Sequence, residues 1–142
     1  MFNALDQDQM PHLIYISIAG VDNSTYPYYI AKKSVEDMIL ESCIRFSILR
    51  TTQFHKFVLN LIHGFLATGE NNVVISNRIK FQSVAISEVA AKLISISEEE
   101  PAGLLPEFAG PQILFFEDMF SEFSSFQEQS ELAHFTVTAS EI

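Results

Sequence analysis

The run LIYISIA, residues 13–19, is apolar at every position but Ser17, is rich in β-branched side chains, and is closed by Gly20. A mainly apolar run of this length fits a strand. It reads as a strand covered on both faces, as in a parallel sheet. Such a strand needs helices to cover it, and the residues that follow supply one. VDNSTYP holds turn formers, and from Tyr28 to about Cys43 the pattern becomes helical. Ala31, Val35, Met38 and Ile39 form an apolar stripe, with Lys32, Lys33, Glu36 and Asp37 facing elsewhere. RFSILR, residues 45–50, reads as the next strand. TTQFHKFVLNLIHGF reads as a helix in which Phe54, Phe57, Val58, Leu61 and Ile62 recur at helical spacing and Gly64 lies near the end. Strand, helix, strand, helix with short connections implies neighbouring parallel strands joined by a right-handed crossover.

Beyond Gly69 the pattern is less regular. NNVVIS predicts a short strand, and VAISEVAAKLISIS, residues 84–97, a short strand leading into a helix that Glu98, Glu99, Glu100, Pro101 and Gly103 end. QILFF predicts a brief strand before a helix from about Glu117, with Phe116, Met119, Phe120 and Phe123 on one core-facing side. The last segment, SELAHFTVTASEI, is weakly patterned and reads as a frayed tail. The expected organisation is a first part over residues 1–69 and a small lobe with an acidic tail over residues 70–142.

With 48% hydrophobic residues and 13 Phe in 142 positions, the chain can bury a core of one-domain size. A single cysteine, Cys43, excludes an internal disulfide framework and reads as a small buried residue. A reducing, cytoplasmic compartment is the simplest setting. The N-terminal stretch MFNALDQDQMPH lacks a basic region followed by an apolar run, so it is not read as a secretory signal. The apolar runs fall short of a membrane span, so no membrane partner is expected. Residues 1–92 hold all eight Lys and Arg and eight acids, whereas residues 93–142 hold ten acids and no Lys or Arg. Nucleic acid is an unsuitable partner, because phosphate binding requires clustered bases. This acidic stretch is read first as a solubilising surface, with attraction of a basic partner as the alternative.

Chemistry-bearing residues gather around the first strand. Tyr28 and Lys32 are four apart in YPYYIAKKSVE and therefore share a helix face. An ammonium beside a phenol favours the phenolate, which suits such a pair to proton transfer. Ser17, near the strand end, can hold a substrate oxygen beside them. In open α/β sheets ligands bind at the carboxyl ends of the strands, and Thr51, Thr52 and Gln53 follow the second strand there. Tyr29 and Lys33 repeat the same spacing one residue later, so arithmetic alone leaves two pairs. His12, His55, His63 and His134 lack metal-ligand spacing and read as surface or core residues.

The pieces IYISIAGVD, YYIAKKSVE and ILRTTQFH, followed by VAISEVAAKLISISE and PAGLLPEFAGPQIL, together resemble the atypical short-chain dehydrogenase/reductase group that includes NmrA-like NAD(P)-binding proteins. The likeness extends over about three-quarters of the chain and lies in the order and spacing of motifs that are individually loose. It implies Tyr28 as the acid/base, Lys32 on the nicotinamide ribose hydroxyls, and Ser17 orienting a substrate carbonyl. It also implies Thr51, Thr52, Gln53 and Phe54 along the nicotinamide. Of the two pairs, it favours Tyr28 with Lys32. The cofactor implied is NAD or NADP, the substrate a small carbonyl or alcohol, and the reaction hydride transfer. The family's glycine-rich turn holds the pyrophosphate on backbone amides, yet no G-x-x-G-x-x-G pattern occurs among the five glycines here. The expected fold is accordingly α/β, a partial Rossmann-like doubly wound parallel sheet lacking its N-terminal half, with a small C-terminal α+β lobe. Such a truncated chain is expected to bind cofactor weakly and to be inactive alone. The alternatives are a non-enzymatic redox-sensing or regulatory binding protein, or one half of a split enzyme whose missing half comes from a protein partner.

Overall fold

The computed structural model describes residues 11–67, 72–76, 78–128 and 136–140. They form two compact units, Met1–Thr52 with Ala85–Ala109, and Gln53–Val84 with Gly110–Ile142.

The first unit is built on a three-stranded parallel sheet in the order β1-β2-β5, with β1 at Leu13–Ile18, β2 at Phe46–Thr51 and β5 at Gly103–Leu104. In β2, Ile48 and Leu49 are consecutive, so they point to opposite faces. Both are buried to within 1%, so this central strand is covered on both sides. The turn after β1 needs Gly20, whose φ of 73° lies in the left-handed region. A 3-10 turn, Val21–Asn23, follows and leads to helix α1, Pro27–Leu40. Pro27 starts that helix at a position where its missing N–H is not needed. Helix α1 packs on β1, as does α3, Ile86–Glu98.

The buried side of α1 differs from the apolar stripe that hydropathy picks out. Met38 is 71% exposed, and Val35 and Ala31 are also exposed, whereas Glu36 is fully buried alongside Ile39. Tyr29, Lys32, Glu36 and Ile39 make the inward row, spaced three, four and three residues apart. A charged residue occupies this row because Arg50 of β2 meets it (below). Cys43 lies beyond the helix end and is exposed, not buried, because α1 closes three residues earlier.

The second unit holds α2 (His55–Ala67), β3 (Asn72–Ser76), β4 (Lys80–Phe81), β6 (Leu114–Phe115), α4 (Phe116–Glu128) and β7 (Thr136–Ser140). Its core is Val58 and Ile62 of α2 against Phe116 and Phe120 of α4, with Leu61, Phe81, Met119 and Phe123 packed around them. The α4 stripe is therefore core, as its spacing predicts. Strands β4 and β6 pair antiparallel, Lys80 opposite Phe115 and Phe81 opposite Leu114. The tail is not frayed throughout: residues 136–140 form β7, which pairs parallel with β3 in a register of Asn72 opposite Thr136 to Ser76 opposite Ser140. Its VTA core is short, and only the partner strand reveals it as β structure; the neighbouring tail residues lie outside those described. Gly110 is required by close approach, since a Cβ there would sit 1.9 Å from the Ser83 carbonyl oxygen.

Candidate functional site

The site centres on the carboxyl end of β1. Strands β1 and β2 run side by side, Ser17 opposite Arg50 and Ile18 opposite Thr51. The Ala19 N–H continues the ladder by donating to the Thr51 carbonyl at 2.9 Å. Leu13 and Ala19 thus bond toward β2, and by the alternation of a parallel ladder the carbonyl of Ile16 faces the other way. Among the described residues β1 is an edge strand, and Lys32 serves that edge. Its Nζ donates to the Ile16 carbonyl at 2.9 Å while lying 4.8 Å from the centre of the Tyr15 ring. An ammonium over an aromatic face is attracted by the ring's negative quadrupole. The lysine is thereby fixed beside the residue that precedes Ser17.

Ser17 is 2% exposed, and its Oγ is buried with no hydrogen-bond partner. Native structures rarely leave a buried hydroxyl unsatisfied. Tyr28 lies four residues before Lys32 on α1, 57% exposed, with its ring edge-to-face against Tyr29 at 6.4 Å. Tyr15, two residues before Ser17 and on the same strand face, belongs to the same neighbourhood. Burial pushes its phenol above the ordinary value, and Glu36 and then Tyr28 push it further electrostatically. Thr51 is buried at the end of β2, and the Thr52 N–H donates to the Phe108 carbonyl at 3.1 Å. Gln53 and Phe54 fall in the second unit, where the Gln53 carbonyl accepts from the Val84 N–H at 3.0 Å and Phe54 bridges to Val84.

The competing pair is differently employed. Lys33 forms ion pairs with Asp37, one helical turn on, and with Asp22 at 3.9 Å, and the Asp37 hydrogen bond above all raises its ionisation above the usual lysine range. Lys32, by contrast, bonds the Ile16 carbonyl of β1 itself.

Sequence reading missed the group that holds α1 in place. Arg50 grips Glu36 with two bonds, Nε to Oε1 at 3.0 Å and Nη2 to Oε2 at 2.6 Å. It also reaches Asp22 in the turn after β1, Nη1 to Oδ2 at 2.6 Å and Nη2 to Oδ1 at 3.2 Å. One guanidinium therefore ties β2, α1 and the β1 turn together. Its hydrogen bonds to Glu36 chiefly, opposed by burial and helped by Asp22, hold it still further above the ordinary arginine value. The histidines have local partners: His12 Nε2 lies 2.8 Å from Ser47 Oγ, His55 Nδ1 lies 2.8 Å from Ser83 Oγ, and His63 stacks edge-on with Phe123. His134 lies outside the described residues.

No protein-family model and no curated protein matches the chain. Solved structures do. TunA, described as an NAD-dependent NDP-hexosamine 5,6-dehydratase of tunicamycin biosynthesis, matches 93% of this chain and 52% of its own, at 16% identity and a TM-score of 0.62. RMD from Pseudomonas aeruginosa, solved with NADPH, matches 92% and 55%, at 10% identity and 0.64. A UDP-N-acetylglucosamine 4-epimerase from Methanobrevibacter ruminantium M1, solved with UDP-N-acetylmuramic acid, matches 92% and 50%, at 15% identity and 0.63. The chain shares their fold. It has the partial Rossmann-like α/β architecture that its motif order implies, and it spans about half the length of these structures. Among the described residues no helix is long and apolar enough to cross a membrane.

Proposed function

We propose that the chain carries the nicotinamide side of an NAD(P)-binding, NmrA-like protein of the short-chain dehydrogenase/reductase kind. One observation carries this reading. Lys32 is anchored on the Ile16 carbonyl next to Ser17, whose buried Oγ has no partner, and Tyr28 stands exposed one turn earlier on the same helix. The donor set fits a nicotinamide riboside. An ammonium with donors to spare can bond ribose hydroxyls, and an unsatisfied hydroxyl can bond a carbonyl. The likeness in fold to enzymes described as NAD-dependent or solved with NADPH supports the same cofactor class.

NAD(P)H supplies a hydride when bound. The chain's own part is to receive a small carbonyl at Ser17 Oγ–H and to give the Tyr28 phenol proton to its oxygen as the carbon is reduced, leaving an alcohol. In the reverse direction Tyr28 takes the alcohol proton. Thr51 and Thr52, at the end of the neighbouring strand, would border the nicotinamide ring. The pyrophosphate finds no glycine-rich cradle in the sequence, so the chain alone binds the cofactor weakly and is catalytically silent.

A non-enzymatic, redox-sensing reading has one observation in its favour. Lys32 is already engaged by Ile16 and Tyr15, which suits reversible binding without turnover. A split enzyme completed by a partner protein would unite the two readings.

The test is titration of the purified chain with reduced nicotinamide mononucleotide, NADH and NADPH, followed by assay against small aldehydes and ketones. Expected is weak binding that Lys32→Met abolishes, with no turnover. Binding that ignores Lys32→Met would overturn the reading. Cofactor-dependent reduction lost in Tyr28→Phe would overturn the silence of the isolated chain and leave the site assignment standing.

A further inference from the structure

Lys32 is tied to β1 by a single hydrogen bond, to the Ile16 carbonyl at 2.9 Å. A lysine is a point charge on a flexible four-carbon stem, and one bond leaves it free to swing about its acceptor. A carboxylate could supply a second restraint. Among the described residues, however, the ion pairs of this unit serve Lys33, Arg45 and Arg50, and none serves Lys32. Glu36, one turn further along the same inward row, has both carboxylate oxygens held by Arg50. What meets the ammonium instead is the Tyr15 ring, its centre 4.8 Å from Nζ. Tyr15 lies two residues before Ser17 on β1, so the two side chains leave the strand on one face.

The kind of contact decides what the lysine can still do. Lys33 shares its charge and donors between Asp37 and Asp22. An aromatic face attracts an ammonium through its quadrupole and leaves the positive charge in place. Of the three N–H donors of Lys32, Ile16 takes one, so donors remain for ribose hydroxyls. We propose that Tyr15 is a positioning residue of the nicotinamide site, its ring and not its hydroxyl steadying the Lys32 ammonium beside Ser17. This inference rests on the nicotinamide reading above and gives Tyr15 a part in it.

The test uses the full chain and two readouts. The first needs no ligand: the Lys32 ε-methylene protons, followed by NMR, should lie upfield because the Tyr15 ring current shields them. The second is titration with reduced nicotinamide mononucleotide. Tyr15→Leu removes the ring and keeps an apolar side chain. It should abolish the upfield shift and weaken binding by about three- to tenfold. Tyr15→Phe should restore both. Fluorinated phenylalanines at position 15 keep the ring's shape while draining its negative face. With rising fluorine content they should weaken binding stepwise, which a purely packing role would not do, and they keep the test open if Tyr15→Leu fails to fold. Loss in Tyr15→Phe equal to that in Tyr15→Leu would give the role to the hydroxyl and overturn the proposal. So would wild-type binding that neither Tyr15→Leu nor the fluorine series alters, and that result would leave the nicotinamide reading standing. Absence of wild-type binding would overturn that reading and this proposal with it.

Discussion

Glu36 is the residue on which the first unit turns. It is fully buried in the middle of α1, and its carboxylate is held at both oxygens by Arg50, which is itself mostly buried. Removing one partner of such a pair leaves the other charge desolvated and only partly compensated. Glu36→Ala is therefore expected to destabilise the fold by about 3–5 kcal/mol, read from urea unfolding. Asp22→Ala, at an exposed partner of the same arginine, should cost about 1 kcal/mol or less. Equal effects of the two would show that the buried pair has no special weight. Tyr15 adds a dependence on pH. Its phenol holds its proton more tightly folded than unfolded. Below the ordinary value near about 10 both states are protonated and the contribution is fully present. As pH rises past that value the unfolded chain ionises first, and stability falls until the folded phenol ionises too. Lys33, also raised, acts in the same direction and window. Tyr15→Phe should flatten the alkaline limb of a stability–pH profile above about pH 10 without removing it, and an unchanged limb would refute the assignment.

At the scale of elements, the sequence was legible where a single physical signal dominated. LIYISIA and RFSILR fall in strands β1 and β2, as their apolar and β-branched content implies, although two-sided burial holds for central β2 and not for β1, which is mostly half-buried, and the Phe116-to-Phe123 stripe is core because its spacing follows a helix turn. The contact of Lys32 with the Tyr15 ring was not legible, since nothing in hydropathy marks a ring that serves an ammonium. Helix α1 was misread for the same reason. Its inward row is chosen by a partner 14 residues away, and periodicity of apolar residues carries no record of a partner. Strand β7 is specified by β3, more than 60 positions earlier in the chain, which a local reading does not see. Helix α3 carries a start signal that is only half made. The Glu88 carboxylate accepts from the Ala85 N–H at 3.3 Å, but Ala85, extended at ψ 138°, offers no side-chain oxygen in return. Ala85→Ser would complete the reciprocal cap and should add about 0.5–1 kcal/mol. A thermal shift of zero, or a loss, would mean that the helix start is fixed by its surroundings alone.

At the scale of the molecule, charge and chain length act on the proposed cofactor together. A net charge of −10 repels a dinucleotide, and the sequence offers no glycine-rich turn whose amides would offset that repulsion at the pyrophosphate. The adenosine diphosphate end should then contribute nothing. NADH and reduced nicotinamide mononucleotide are expected to bind the chain within about twofold of one another, whereas a complete clamp would favour NADH strongly. Salt separates this from a hidden phosphate site. Screening weakens repulsion between like charges, so NADPH, the most anionic of the three, should bind more tightly as ionic strength is raised toward about 0.15 M. A phosphate site built on basic side chains would show the opposite slope. NADPH binding that weakens with added salt would therefore reveal a cationic clamp despite the chain's net charge of −10.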